Sequence, residues 1–479
     1  MKKYKCSICN QIIDKDSIDE ISSCPYCGVD ISLINEVEET KEEYKEIEGP
    51  IPIDSDNPSI ERIDEKCIKC GLCSKICQNS VGIKYVKEKS KCAVCINCGQ
   101  CIINCPTKAI VPKYCYKKVL EFIKDPKKTV VCYTSPSVRV SIGDEFDMKP
   151  GENVEGKIVT ALKDVGFDYV FDTTFGADLT IMEEASELIN RIKNKKNLPQ
   201  FTSCCPAWVK YTEIYHPELI NNLSSCKSPI GMQGAIVKNY FSELKGINKD
   251  DIITVALTPC VAKKTEISRK EIDGTDYVIT ATEFAKMLKE LNIDLAKLKD
   301  TKYDDIMGRG SGAGVIFGNS GGVMEAALRC AYKFITNLDP PEKLLEYKDV
   351  RGYKNLKEAK LTINDLDINI LVCHGLLNIE KIIESKDYEK YDFIEVMNCP
   401  GGCVGGGGQP LKNISNQQEI IEARINKLYE EDRQIDVKVC YNNKDIIDIY
   451  ESYLEKPLSE KSIKLLHTKY EDKSSILGE

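Results

Sequence analysis

Beyond residue 129, short apolar runs recur between amphipathic stretches: Thr129-Val-Val-Cys-Tyr, Tyr169-Val-Phe and Ile252-Ile-Thr-Val-Ala-Leu are each followed by segments of mixed polarity. The alternation predicts an α/β domain with partly buried sheets over residues 129–479. Two helices stand out. Residues 157–165 run into Gly166, a residue suited to a left-handed helix cap. Residues 178–191 read Asp-Leu-Thr-Ile-Met-Glu-Glu-Ala-Ser-Glu-Leu-Ile-Asn-Arg, with Thr180 and Glu183 at capping-box spacing. On that helix Glu184, Glu187 and Arg191 share one face, which by itself reads as an ordinary solvated ion-pair stripe. Residues 34–60 are acidic with little periodicity, the pattern of a linker or solvated helix. No run of eighteen apolar residues occurs, Met1 to Cys9 lacks the apolar core of a secretion signal, and there is no twin-arginine signal. A cytoplasmic protein that does not engage membranes is expected.

Composition changes this picture mainly through cysteine. The chain has 479 residues, enough for about two to four domains, and 24 cysteines, far more than packing needs. In a reducing compartment most should hold metal. The net charge of -9 is unevenly spread. Residues 1–60 carry 6 Lys/Arg against 14 Asp/Glu, a formal -8, and residues 61–128 carry 15 against 6, a formal +9. The basic block has few aromatic platforms and many cysteines, so an acidic protein partner suits it better than nucleic acid.

The first cysteines are Cys6-x2-Cys9 and Cys24-x2-Cys27. Two such knuckles make one tetrahedral tetrathiolate site. Residues 1–33 thus resemble a rubredoxin-like domain or a zinc ribbon, and spacing leaves one mononuclear iron or zinc open. The clearest repeat follows: Cys67-x2-Cys70-x2-Cys73-x3-Cys77, then Cys95-x2-Cys98-x2-Cys101-x3-Cys105-Pro106. Residues 61–128 resemble the bacterial two-cluster ferredoxin, in which the fourth cysteine of each run serves the other cluster. The resemblance implies one 4Fe-4S cube on Cys67, Cys70, Cys73 and Cys105 and another on Cys95, Cys98, Cys101 and Cys77. Gln78 stands where proline is usual, and Cys92 stays unassigned. Two oxidised cubes lower the charge of this module to roughly +5, still suited to steering an acidic redox partner.

Residues 395–410, Glu-Val-Met-Asn-Cys-Pro-Gly-Gly-Cys-Val-Gly-Gly-Gly-Gly-Gln-Pro, place Cys399 and Cys403 in nearly bare backbone. Glycine at that density suggests a bulky group lying against the main chain, and paired thiolates are soft ligands for iron or zinc. A flexible linker would not carry two cysteines. Thr202-Ser-Cys-Cys-Pro-Ala-Trp208 and Thr258-Pro-Cys-Val-Ala-Lys-Lys-Thr-Glu266 hold further cysteines that cannot close a local site. Together the three segments resemble the signature motifs of the iron-iron hydrogenases, and the similarity continues from about residue 130 to the C-terminus. It implies that Cys205, Cys260, Cys399 and Cys403 hold a 4Fe-4S cube. Cys403 also bridges to a two-iron subcluster bearing carbon monoxide, cyanide and a dithiolate amine, the whole being the H-cluster. Cys204 matches the thiol that relays protons, Lys263 and Ser137 match contacts to cyanide, and Met397 and Pro136 match pocket residues. Cys204, Glu184, Ser224, Glu187 and Arg191 match a proton path, in that order from inside to out.

The resemblance further implies a monomeric enzyme interconverting dihydrogen with protons and electrons, exchanging electrons with a ferredoxin and assembled by hydrogenase maturation proteins. Ala207, Thr258, Ile230, Ser135 and Pro400 depart from the commonest residues, which points to a divergent, group B-like subgroup. A hydrogen sensor and a non-catalytic iron-sulfur relative are the rival classes. Residues 308–314 lack the lysine of a phosphate loop and read as close packing. His216, His374 and His467 form no ligand motif, and Cys115, Cys132, Cys226, Cys330, Cys373 and Cys440 read as ordinary thiols.

Overall fold

The strand Thr129–Thr134 is buried along almost its whole length, as an unbroken apolar run requires of a strand covered on both faces. It lies in the middle of a four-stranded sheet whose order is Tyr277–Thr280, Ile252–Thr258, Thr129–Thr134, Tyr169–Asp172, with every pairing parallel. A second four-stranded sheet runs Leu356–Ile363, Leu366–His374, Phe393–Met397, Gln200–Phe201. Its first pairing is antiparallel and the other two are parallel. In parallel sheets the loops leaving the carboxyl ends of strands collect on one side and form the binding crevice. Here those ends lead into Ser135, Thr173, Thr202, Pro259 and Asn398, so both sheets deliver the cysteine-bearing segments.

The computed structural model describes residues 49–83, 94–411 and 416–477, with Ser23 and the backbone of Lys2–Cys6, Ile12–Lys15 and Ile34–Val37. It divides into two units, Met1–Glu46 and Ile47–Glu479. In the first, Lys2–Cys6 pairs antiparallel with both Ile12–Lys15 and Ile34–Val37. Part of the stretch expected to be a linker or solvated helix is therefore a strand. Its other end belongs to the second unit, where Ile51 and Ile60 are buried with Cys101 and Val261. The thiols of Cys6, Cys9, Cys24, Cys27 and Cys92 lie outside the described residues.

The helix expected to end at Gly166 spans Glu155–Val165, and Gly166 caps it with φ +109°. The acidic helix begins earlier than its capping-box spacing suggested. It spans Thr173–Asn194, and Asp172 caps it by accepting from the Thr174 amide. Thr180 and Glu183 are thus interior residues. Thr180 donates to the Gly176 carbonyl at 3.0 Å, and Glu183 turns to partners outside the helix. A second N-cap two turns upstream overrode the internal Thr-x-x-Glu spacing. Most of this helix is buried, so its acidic stripe is not a solvated face. Among the described residues, no helix is long and apolar enough to cross a membrane.

Candidate active site

Each cysteine of the three separated segments sits where a strand gives way to a turn. Cys204 and Cys205 follow Gln200–Phe201 and precede the helix Pro206–Tyr215, for which Cys205 is the N-cap. Pro206 at the first helical position favours that start. Cys260 follows Ile252–Thr258 in a turn pinned by the Thr258 hydroxyl, which lies 3.3 Å from the Cys260 amide and donates to its carbonyl at 3.1 Å. Cys399 and Cys403 follow Phe393–Met397. Burial first, and then the charges of Cys260 and Cys205, push the Cys399 and Cys403 thiols well up, and Cys260 and Cys403 line one cavity. Cys260 is pushed up to about 11 by burial and Cys205. A multiply charged cation cluster reverses that sign by neutralising the thiolates, so the donor set fits an iron-sulfur cube.

Beside Cys403 lies a cavity of about 60 Å³, lined also by Pro136, Ser137, Cys204, Cys260, Lys263 and Met397. Ser135, Ile230 and Thr258, three of the departing positions, line it too. The Ser137 hydroxyl is buried with no hydrogen-bond partner among the described residues. Such an orphan costs about 1–3 kcal/mol unless a bound group satisfies it. Lys263 donates to Glu266 at 2.6 Å and to the Cys204 carbonyl at 3.0 Å. Burial opposes its charge, but Glu266 raises its pKa above the usual lysine value. A cavity with a buried ammonium, the unpartnered Ser137 and Thr173 hydroxyls and a mainly apolar lining fits an anionic metal group anchored at Cys403.

The glycines of residues 401–408 meet mainly other backbone. A Cβ on Gly402, whose φ is +95°, would meet the Ser320 amide at 2.5 Å. One on Gly407 would meet the Cys98 carbonyl at 2.5 Å. The bulky neighbour inferred from the glycine density is thus largely the protein's own main chain, which brings Cys98 close to Cys399. Gln100 ties the two regions by donating to Cys399 Sγ at 3.2 Å and to the Gly405 carbonyl at 3.2 Å. In the same region Cys67, Cys70, Cys73 and Cys105 line one cavity of about 20 Å³. Cys77 is pushed up by burial and by Cys98, Cys95 and Cys73, and Cys101 by burial, Cys95, Cys77 and Cys73.

The acidic stripe leads away from Cys204. Burial first, and then the Glu184 charge, push the Cys204 thiol well up. Glu184 is buried, with one carboxylate oxygen unpartnered. Burial and the neighbouring Glu187 push it up to about 8, opposed by the nearby Ser224 hydroxyl. The Ser224 hydroxyl donates to Glu187 at 2.8 Å. Glu187 accepts from Arg191 at 2.8 Å, and Arg191 also donates to the Asn197, Asn222 and Leu223 carbonyls.

Sequence reasoning missed several groups here. Ser225 donates to Glu187 through its amide and hydroxyl. His467 bridges Ser225 and Glu183, and the Cys226 thiol lies 3.7 Å from Glu187. Among the other histidines, His216 lies between Glu218 and Glu380, and His374 faces Ser320. Only the adjacency of Ser225 to Ser224 could have signalled any of these partners.

Residues 128–407 match the family described as iron only hydrogenase large subunit, C-terminal domain, and residues 418–473 match iron hydrogenase small subunit. The chain is 41% identical over 439 residues to the NADP-reducing hydrogenase subunit HndD of Solidesulfovibrio fructosivorans, covering 86% of this chain and 74% of the relative. It is 31% identical over 369 residues to the cytosolic Fe-S cluster assembly factor narfl of Danio rerio, covering 72% and 86%. Among solved structures it resembles a single-residue variant of apo [FeFe]-hydrogenase HydA1 from Chlamydomonas reinhardtii. That match has a TM-score of 0.65 and 36% identity, covering 74% of this chain and 98% of the other.

Proposed function

Because the chain belongs to the iron-only hydrogenase family, we propose that it interconverts dihydrogen with protons and electrons. The observation that carries this reading is the convergence of Cys205, Cys260, Cys399 and Cys403 beside a cavity that also presents Cys204, Lys263 and the unpartnered Ser137 hydroxyl. Cys205, Cys260, Cys399 and Cys403 would hold the cube, and Cys403, which also lines the cavity, would anchor the two-iron unit. When bound, the six-iron cofactor supplies the metal site at which dihydrogen is cleaved or formed. Lys263 and Ser137 donate to its anionic ligands, and Met397 and Pro136 shape the pocket around it.

Protons leave through the chain's own groups. Cys204 exchanges a proton at the cavity wall, Glu184 carries it onward, and Ser224 passes it to Glu187 beside Arg191. Glu184 suits this work because a carboxyl raised to about 8 is poised near neutral pH. Residues 61–128 act as a ferredoxin-like module with two further 4Fe-4S clusters in the cysteine groupings that the ferredoxin resemblance implies. Residues 1–33, with the strand Ile34–Val37, form a small rubredoxin-like or zinc-ribbon domain with one mononuclear iron or zinc. The outside partner is a ferredoxin or similar acidic redox protein, and maturation proteins deliver the two-iron unit to a monomer in the cytoplasm. The departing residues Ser135, Ile230 and Thr258 belong to the cavity wall, which supports a divergent subgroup.

The likeness to an iron-sulfur assembly factor favours a second reading, a protein that keeps the cube and lacks the two-iron unit. Loading the purified protein with the synthetic two-iron unit and assaying hydrogen evolution from a reduced dye separates them. Turnover is expected on loading, and its absence in protein with a full cube favours the second reading.

A further inference from the structure

Glu187, Cys226 and His467 come from distant parts of the chain, yet one ligand atom from each lies within 4.8 Å of the others. Cys226 and His467 are held by an antiparallel backbone bridge. It is flanked by the Lys227 amide donating to Leu466 at 2.8 Å and the Thr468 amide donating to Ser225 at 2.7 Å. Glu187 reaches the bridge from the helix Thr173–Asn194. The donor set is a carboxylate, a thiol and an imidazole, a mixture that suits a tetrahedral zinc ion. Magnesium and calcium prefer all-oxygen sites.

The orientation of the imidazole adds an independent reason. His467 Nε2 lies 3.0 Å from Glu183, a side chain with no exposure. Glu183 also accepts from Tyr450 at 2.7 Å and from the Leu458 amide at 2.8 Å. In the neutral imidazole the tautomer that meets this acceptor carries its proton on Nε2, and Nδ1 then presents its lone pair. A carboxylate behind a histidine is the arrangement that fixes the tautomer of zinc-binding imidazoles. Nδ1 points at the Ser225 hydroxyl, 2.8 Å away, and that hydroxyl is also 3.1 Å from Glu187. With a neutral imidazole, one hydroxyl proton cannot serve both acceptors, so one contact is left without a donor when Glu187 is ionised. A cation among the three ligands satisfies both.

We propose that Glu187, Cys226 and His467 form an inhibitory binding site for zinc, which withdraws Glu187 from proton transfer. The blocking role rests on the proton path proposed above; the binding does not. Zinc enters as the dication, the Cys226 thiol proton leaves, and with one thiolate, one carboxylate and a neutral imidazole the site is electrically balanced. The Ser225 hydroxyl or a water completes four ligands. The charged groups around the trio are Arg191, which holds Glu187, and Glu183 and Glu184 on the same helix. Arg191 is the cation with which zinc competes.

Calorimetric titration of the holoprotein with zinc chloride tests the site. The parent is expected to bind one equivalent more than Cys226→Ala or His467→Gln, with Glu183→Gln weakening that equivalent by about tenfold or more. Thermal melting checks that each variant is folded. Saturating zinc should suppress hydrogen evolution by the parent, chelation should restore it, and the Cys226→Ala and His467→Gln enzymes should keep their basal rate in zinc. Equal zinc uptake by the parent and both folded variants overturns the site. Uptake without inhibition in an active enzyme overturns the blocking role. If no variant or parent evolves hydrogen, the hydrogenase reading fails while the zinc count still decides the site.

Discussion

The two sides of the cavity are built by opposite strategies. On the cluster side, thiols sit on turns after parallel strands, and glycines allow backbone to pack on backbone, as where Gly407 meets Cys98. On the exit side, carboxylates lie along one buried helix and are held by side chains from elsewhere, as where Glu187 accepts from Ser224 and Ser225. The first arrangement fixes position through the main chain and tolerates few replacements. The second tunes protonation through neighbours, so its residues can change with graded effects. Loss of a cluster-side thiol should therefore abolish the cofactor, whereas loss of an exit-side group should leave the cofactor and slow the proton.

The largest effect is expected at Cys403. Cys403→Ala should lower bound iron and abolish turnover, read by metal analysis and gas assay together; full iron with preserved turnover would erase the contrast between the sides. Cys204→Ser comes next, with turnover falling by about 10²–10⁴-fold while iron content is unchanged.

Glu184→Gln sharpens the exit-side claim because it separates rate from stability. The Glu184 pKa is raised from 4.5 to about 8 on folding, so the folded state binds the extra proton. That contribution is fully present below pH 4.5 and is lost as pH rises through 8. The neutral glutamine cannot lose it. The variant should turn over at least about tenfold more slowly, yet lose less thermal stability than the parent between pH 6 and 9, by parallel melting curves. Equal pH slopes for the two proteins would contradict the buried, neutral Glu184.

The smallest expected effects test the backbone contacts. Gly407→Ala must displace the Cys98 carbonyl and should cost about 1–3 kcal/mol, measured by denaturant unfolding. Thr258→Val removes the hydroxyl that pins the Cys260 turn and should cost about 1 kcal/mol.

This division also explains what was legible in the chain. The cysteine spacings and the strand runs at 129, 169 and 252 are local; the runs are the strands Thr129–Thr134, Tyr169–Asp172 and Ile252–Thr258, and among the described residues the spaced cysteines fall on turns and on short helices such as Leu72–Ile76 and Gln100–Ile103. The helix face of Glu184, Glu187 and Arg191 was legible from periodicity, but its burial was not, because that depends on helices and the C-terminal segment packed over it. The capping box at Thr180 failed because Asp172 starts the helix earlier. The glycine segment pointed to a close neighbour but not to which one, since the Cys98 and Pro259 carbonyls arrive from distant positions. His467 and Cys226 had no local pattern at all. Their meaning arises only where residues 225–227 pair with 466–468 beside the acidic helix.

The central claim is that Cys403 and its cavity hold a two-iron unit bearing carbon monoxide and cyanide. Infrared spectroscopy of the protein after loading with the synthetic two-iron unit tests it most directly. Carbonyl and cyanide stretching bands are expected in the parent and in Cys204→Ser, and absent in Cys403→Ala. A parent with a full cube and no such bands, or identical bands in Cys403→Ala, would contradict it.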